Sequence, residues 1–131
     1  MQLNTANGHI TIESLSISPT LSIPDVESLG GIYGIKKGFQ NKQYVSYLIP
    51  EIANGEVALL LLFFNSKLAS VSIELGKKYN YPPFKITADE RRVIAYKLEQ
   101  IGGANIYGWG KVNIVEDSKG GTISIVVKYN Q

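Results

Sequence analysis

The sequence predicts an α+β fold: an antiparallel β-sheet packed against one longer α-helix, with a short helix near the N-terminus. Three observations carry this. Apolar residues alternate along several short runs, the period of half-buried strands. Turn signals separate those runs, Asn54-Gly55 and Asn65-Ser66 above all, and strands joined by tight turns pair antiparallel. One later segment, "ADERRVIAYKLEQI", repeats apolar residues at helical spacing behind a capping residue.

The elements follow in order. "HITIESLSI" places Ile10, Ile12, Leu15 and Ile17 near alternate positions, which reads as one N-terminal strand with an irregularity around Ser14. Ser22 with Asp25 resembles a capping box, Pro24 suits a first turn and Gly30 a stop, so a short helix is expected from Ile23 to Leu29. "GIYGIKKGFQNKQYVSYLIP" reads as two strands around a turn, the second from Gln43 to Ile49. "EVALLLLFF" is apolar at both parities, so both of its faces are expected to be covered, placing it centrally in the sheet. "KLASVSIEL" alternates, with Val71, Ile73 and Leu75 inward and Ser70, Ser72 and Glu74 outward. A loop, "GKKYNYPPFKI", leads to Thr87, which with Glu90 forms a second capping box. The helix behind it carries Ile94, Leu98 and Ile101 on one stripe and ends at Gly102-Gly103. A closing hairpin pairs Val112 and Ile114 with Ile123, Ile125, Val127 and Tyr129 around a turn from Asp117 to Gly121. The expected order is β-α-β-β-β-β-α-β-β.

Composition narrows the function. At 131 residues the chain is expected to form a single domain, 1–131, able to bury a core without disulfides or metal. Hydrophobic residues at 44% and charged residues at 18% argue against disorder. With no cysteine, disulfides, thiol catalysis and cysteine-based zinc sites are excluded. A net charge of +2, spread along the chain, lacks the clustered basic face of a nucleic-acid binder. The start has no charged and apolar leader pattern, and Val57–Phe64 is too short to span a bilayer, so a cytoplasmic protein is expected.

Nothing forms a catalytic or metal-binding signature. His9 lies beside Gly8 with no nucleophile motif near it, and reads as a solvated residue at a strand start. Asp89 and Glu90 are explained by the helix start and Asp117 by the turn. Glu116-Asp117 lacks calcium-loop spacing. "GGIYG" follows a helix and precedes a strand, the reverse of a dinucleotide fingerprint. Arg91-Arg92 and Lys77-Lys78 read as a solvated helix face and a loop. Neither enzyme chemistry nor a cofactor is expected.

Aromatic residues are more informative. Eight tyrosines and one tryptophan sit largely near strand ends and loops, and Tyr and Trp supply large contact area at low entropic cost. Simple alternation puts Trp109 with Lys111 and Asn113, partly exposed. A bulge at Gly108 or Gly110 would instead turn it into the core.

"LSISPTLSIPDVESLGG", then "VALLLLFFNSKLASVSIEL", then a helix running into "IYGWGKVNIVEDSKGGTISIVVKY" resembles small cytosolic immunity proteins of bacterial polymorphic and contact-dependent toxin systems. The resemblance covers most of the chain and rests on structural motifs. It implies a protein that binds one toxin C-terminal domain tightly and blocks it. Expected partner contacts are Tyr79, Tyr81, Tyr107, Trp109, Lys77, Lys78, Glu116 and Asp117, from loops and a hairpin gathered at one end of the sheet. Two alternatives stand beside it. One is a small-molecule-binding or enzymatic domain with a tyrosine-lined pocket between sheet and long helix. The other is an oligomerisation module, a homodimer that buries a face of "VALLLLFF" against a copy of itself.

Overall fold

The computed structural model describes residues 1–76, 86–117 and 119–130. Three short strands, β1 (Gln2–Leu3), β2 (Ile10–Ile12) and β3 (Leu15–Ile17), make a small antiparallel sheet. Two short helices follow, α1 (Ile23–Ser28) and α2 (Gly30–Tyr33). Then come β4 (Lys36–Gln40), β5 (Tyr44–Ile52), β6 (Val57–Phe64), β7 (Lys67–Leu75), α3 (Ala88–Gln100), β8 (Asn105–Tyr107), β9 (Gly110–Asp117) and β10 (Thr122–Tyr129). The last seven strands form one antiparallel sheet in the order β4-β5-β6-β7-β10-β9-β8.

Local chemistry accounts for most boundaries. Ser22 accepts from the Asp25 amide and Asp25 accepts from the Ser22 amide, a reciprocal box opening α1. Thr87 and Glu90 do the same for α3. Thr87→Ala is expected to lower stability by about 1 kcal/mol in urea denaturation, the usual cost of losing an N-cap. Asn65 and Ser66 take φ of 50° and 67°, the left-handed pair that a two-residue hairpin between β6 and β7 demands.

Three expectations change. The N-terminal segment is a hairpin, since Ile12 pairs with Leu15 and Glu13 turns the chain at φ 54°. The first helix ends at Ser28 with Leu29 as its cap, close to the expected bound, but no strand follows Gly30 directly. Gly30 opens α2, which ends at Gly34 with φ 62°. The sheet is also not packed on α3 alone. That helix packs chiefly on β10 and β9, and Ile10, Ile12, Leu15 and Ile17 of the small sheet and Val26 of α1 join the same core.

This core lies on one face of the large sheet. Val45, Tyr47 and Ile49 of β5, Leu59, Leu61 and Phe63 of β6, Val71 and Ile73 of β7 and Ile125 and Val127 of β10 are all buried there. The inward and outward sets expected for "KLASVSIEL" are observed. β6 is interior to the sheet, as its composition predicts, but its faces differ. Leu59, Leu61 and Phe63 are at most 1% exposed, whereas Leu60, Leu62 and Phe64 are only half-buried and take no part in the core cluster. No described helix or strand lies across that second face.

Candidate functional site

Gly108 and Trp109 form the two-residue turn between β8 and β9, where Tyr107 pairs with Gly110. Trp109 is therefore not on a strand, and alternation does not govern it. Its side chain folds back over the loop between β1 and β2. The indole Nε1 donates to the Thr5 carbonyl at 2.8 Å. The ring stacks on Tyr107 at 5.0 Å and meets Tyr129 at 5.6 Å. The Tyr129 hydroxyl donates to the Gly8 carbonyl at 2.7 Å, and burial raises its pKa well above the usual phenol range. A Cβ at Gly8, whose φ is 79°, would stand 2.7 Å from the indole. Asn130 closes the corner, its amide donating to Trp109 O and its side chain to Gly108 O.

Tyr129→Phe is expected to cost about 1–2 kcal/mol, because the Gly8 carbonyl loses its partner inside the protein. Thermal denaturation of the two forms checks this.

Beside the corner runs an open groove of about 570 Å³, with Leu21, Leu68, Trp109 and Tyr129 as apolar lining and Lys67 and Asn130 among its polar groups. One edge of Trp109 thus reaches the surface while its body packs on the core. Both readings of this residue held part of the answer: it is a packed corner with an accessible edge.

The expected contact residues separate. Tyr107 and Trp109 stand together. Glu116 and Asp117 end β9, about 23 Å away along an extended strand. Glu116 accepts from Arg91 Nε at 2.7 Å, tying α3 to β9. The Asp117 carboxylate accepts from the amides of Lys119 and Gly120 and shapes the turn. The expected gathering at one end of the sheet therefore does not occur for these four. Lys77, Lys78, Tyr79 and Tyr81 lie outside the described residues.

Other polar groups have structural partners. The Tyr47 hydroxyl donates to Glu27 at 3.0 Å and joins β5 to α1, and burial raises its pKa, with Glu27 adding to the effect. His9 is exposed. Among the described residues, no three His, Cys, Asp or Glu side chains converge as a metal site. No helix among them is long and apolar enough to cross a membrane.

Under α3 the contact is filled. Ile94 is 0% and Ile101 4% exposed, and the small cleft at the end of the sheet lined by Glu74, Leu75, Glu90, Thr122 and Ile123 holds about 30 Å³, about the space of one water. Glu74 itself is raised in pKa by burial. Its ionised form is thus disfavoured in the folded state, a penalty present above the folded pKa and relieved as pH falls through it. Glu74→Gln is expected to raise the melting temperature at neutral pH and to change little in acid.

The molecule is thus an antiparallel α+β protein with one sheet face packed into the core and the other carrying half-buried apolar residues that take no part in that core. No family model matches the chain, and no curated protein does either. A chain in the solved structure of "Rhs1-CT in complex with cognate immunity protein RhsI1" shares its fold. The TM-score is 0.64 at 15% identity, over 99% of this chain and 87% of that one.

Proposed function

We propose that this chain is an immunity protein: it binds one cognate toxin C-terminal domain and neutralises it by forming a tight non-covalent complex, without chemistry of its own. The observation that carries the reading is the fold likeness, which runs through 99% of the chain to a component of a complex that contains an immunity protein. The residue pattern in the sequence points to the same class. A rigid corner built from Tyr107, Trp109 and Tyr129 suits binding, because aromatic groups already held in place lose little entropy on contact. In this reading the protein works in the cytoplasm as part of a polymorphic, contact-dependent toxin system.

Tyr107 and the exposed edge of Trp109 are proposed contacts. Glu116 and Asp117 contribute less, since their carboxylates already serve Arg91 and the turn. The pocket reading has no comparable support, because the space beneath α3 is packed with Ile94 and Ile101.

The test is co-expression with the C-terminal domain encoded by the adjacent upstream gene. A one-to-one complex that restores growth supports immunity. A toxic domain that neither binds this protein nor is silenced by it retires the reading.

A further inference from the structure

The open face of the large sheet has a pattern that folding does not explain. Along one row of register partners it reads Leu62, Ser70, Lys128, Lys111 and Ile106, from β6 to β8, while Ser46 at the β5 end of that row is buried and accepts from the Phe39 amide of β4. The neighbouring row carries Leu48, Leu60 and Val126, with Lys36 opposite Leu48 at the β4 edge. Phe64 pairs with Lys67 at the β6–β7 turn. An apolar strip on β5 and β6 therefore passes through serines on β7 to a basic zone on β10 and β9.

Two features of this face disfavour the free protein. Ile106 is 82% exposed and Val115 43%, on a face that already carries half-buried leucines. Lys111 and Lys128 stand directly opposite each other. Like charges so placed repel, and among the described residues neither has an ion-pair partner. The face has one carboxylate in its interior rows, Glu74, opposite Ala58 and Ser124.

We propose that this open face is the docking surface for the partner, and that the partner presents an apolar patch with an acidic margin to meet Lys111 and Lys128. The proposal rests on the immunity reading and adds the surface and the partner's charge. Size agrees: seven strands span about 29 Å, and six residues along them about 20 Å, giving about 600 Å². A standard interface takes about 800 Å² from each side. The rest can come from the Trp109 groove, since Lys67 belongs to both. A second copy of the chain fits less well. A two-fold interface must be self-complementary, and this face offers basic groups with too few acidic ones to answer them.

The experiment uses the full chain and the purified C-terminal domain of the adjacent gene product. Lys111→Glu/Lys128→Glu is expected to weaken binding at least 100-fold at low salt, with most of the loss in the association rate. The single change Lys128→Glu replaces a repulsive cross-strand pair with an attractive one. It is therefore expected to hold or raise the melting temperature by about 1–3 °C while still weakening binding. Stability and affinity moving in opposite directions separates docking from a folding defect. Leu62→Asp is expected to abolish binding as well. Wild-type affinity in all three variants overturns the surface while leaving the immunity reading intact. A wild-type homodimer in light scattering that Leu62→Asp dissociates gives the face to a second copy and overturns the proposal. If the toxic domain forms no complex with the wild type, the immunity reading fails and the proposal fails with it.

Discussion

Trp109→Ala is expected to lower folding stability by about 3 kcal/mol, a drop of roughly 12 °C in melting temperature for a domain of this size. The loss has two sources. The indole packs between Tyr107 and Tyr129 and against Gly8, so truncation opens a cavity where three segments meet. It also removes the donor to Thr5 O, one of the bonds holding the 4–9 loop to the end of the sheet. Trp109→Phe separates the two. It keeps a ring on Tyr107 and loses the hydrogen bond, so about 1 kcal/mol is expected. Amide exchange should quicken at Gly8 in the alanine variant, since the Gly8 amide bonds to Asn4 O inside that loop. As this is the chain's one tryptophan, its fluorescence reports directly on the corner. An alanine variant with wild-type stability would mean that the residue is there for the partner alone.

The parts of the fold legible in sequence are those fixed by short-range chemistry. Ser22, Asp25, Thr87 and Glu90 form the capping boxes their spacing implies. Asn65-Ser66 turns as expected, and the alternation through Val71, Ile73 and Leu75 gives the correct inward face. The N-terminal hairpin was hidden because Glu13-Ser14 carries no glycine or asparagine, so a turn residue at φ 54° gave no compositional sign. The second helix is hidden by Gly30, which reads as a stop.

The candidate site was less legible because it depends on contacts distant in sequence. Trp109 meets Thr5 and Gly8 across more than a hundred residues, and no local pattern encodes that. The separation of Glu116 from Trp109 follows from β9 running its full length between them. The strand "VALLLLFF" shows another limit. Apolar residues at both parities are satisfied by two covered faces, or by one covered face and one that waits for a partner. Composition alone does not distinguish these, whereas the contrast between Leu61 and Leu62 does.

The two glycines flanking Trp109 should behave oppositely, and this is the sharpest test of the corner. At Gly110 an added Cβ would lie 2.0 Å from the carbonyl oxygen of Lys128 and 3.1 Å from the Cα of Tyr129. Both are backbone atoms of the neighbouring strand, so no side chain can move aside. Gly110 also pairs with Tyr129 at the start of the β9–β10 ladder, and β10 is anchored there by the Tyr129 bond to Gly8. Gly110→Ala must therefore push β9 from β10 or shift the register, and about 3 kcal/mol of destabilisation is expected, the upper range for overpacking. At Gly108 an added Cβ meets nothing within 4 Å, and the backbone is not left-handed. Gly108→Ala is expected to stay within about 0.5 kcal/mol of the wild type, with any gain coming from a less flexible unfolded chain. Urea denaturation of the two alanine variants side by side reads the difference. Equal losses would mean that the turn needs glycine for its backbone conformation. The expected inequality would mean that Gly110 is there because β10 passes too close for any side chain.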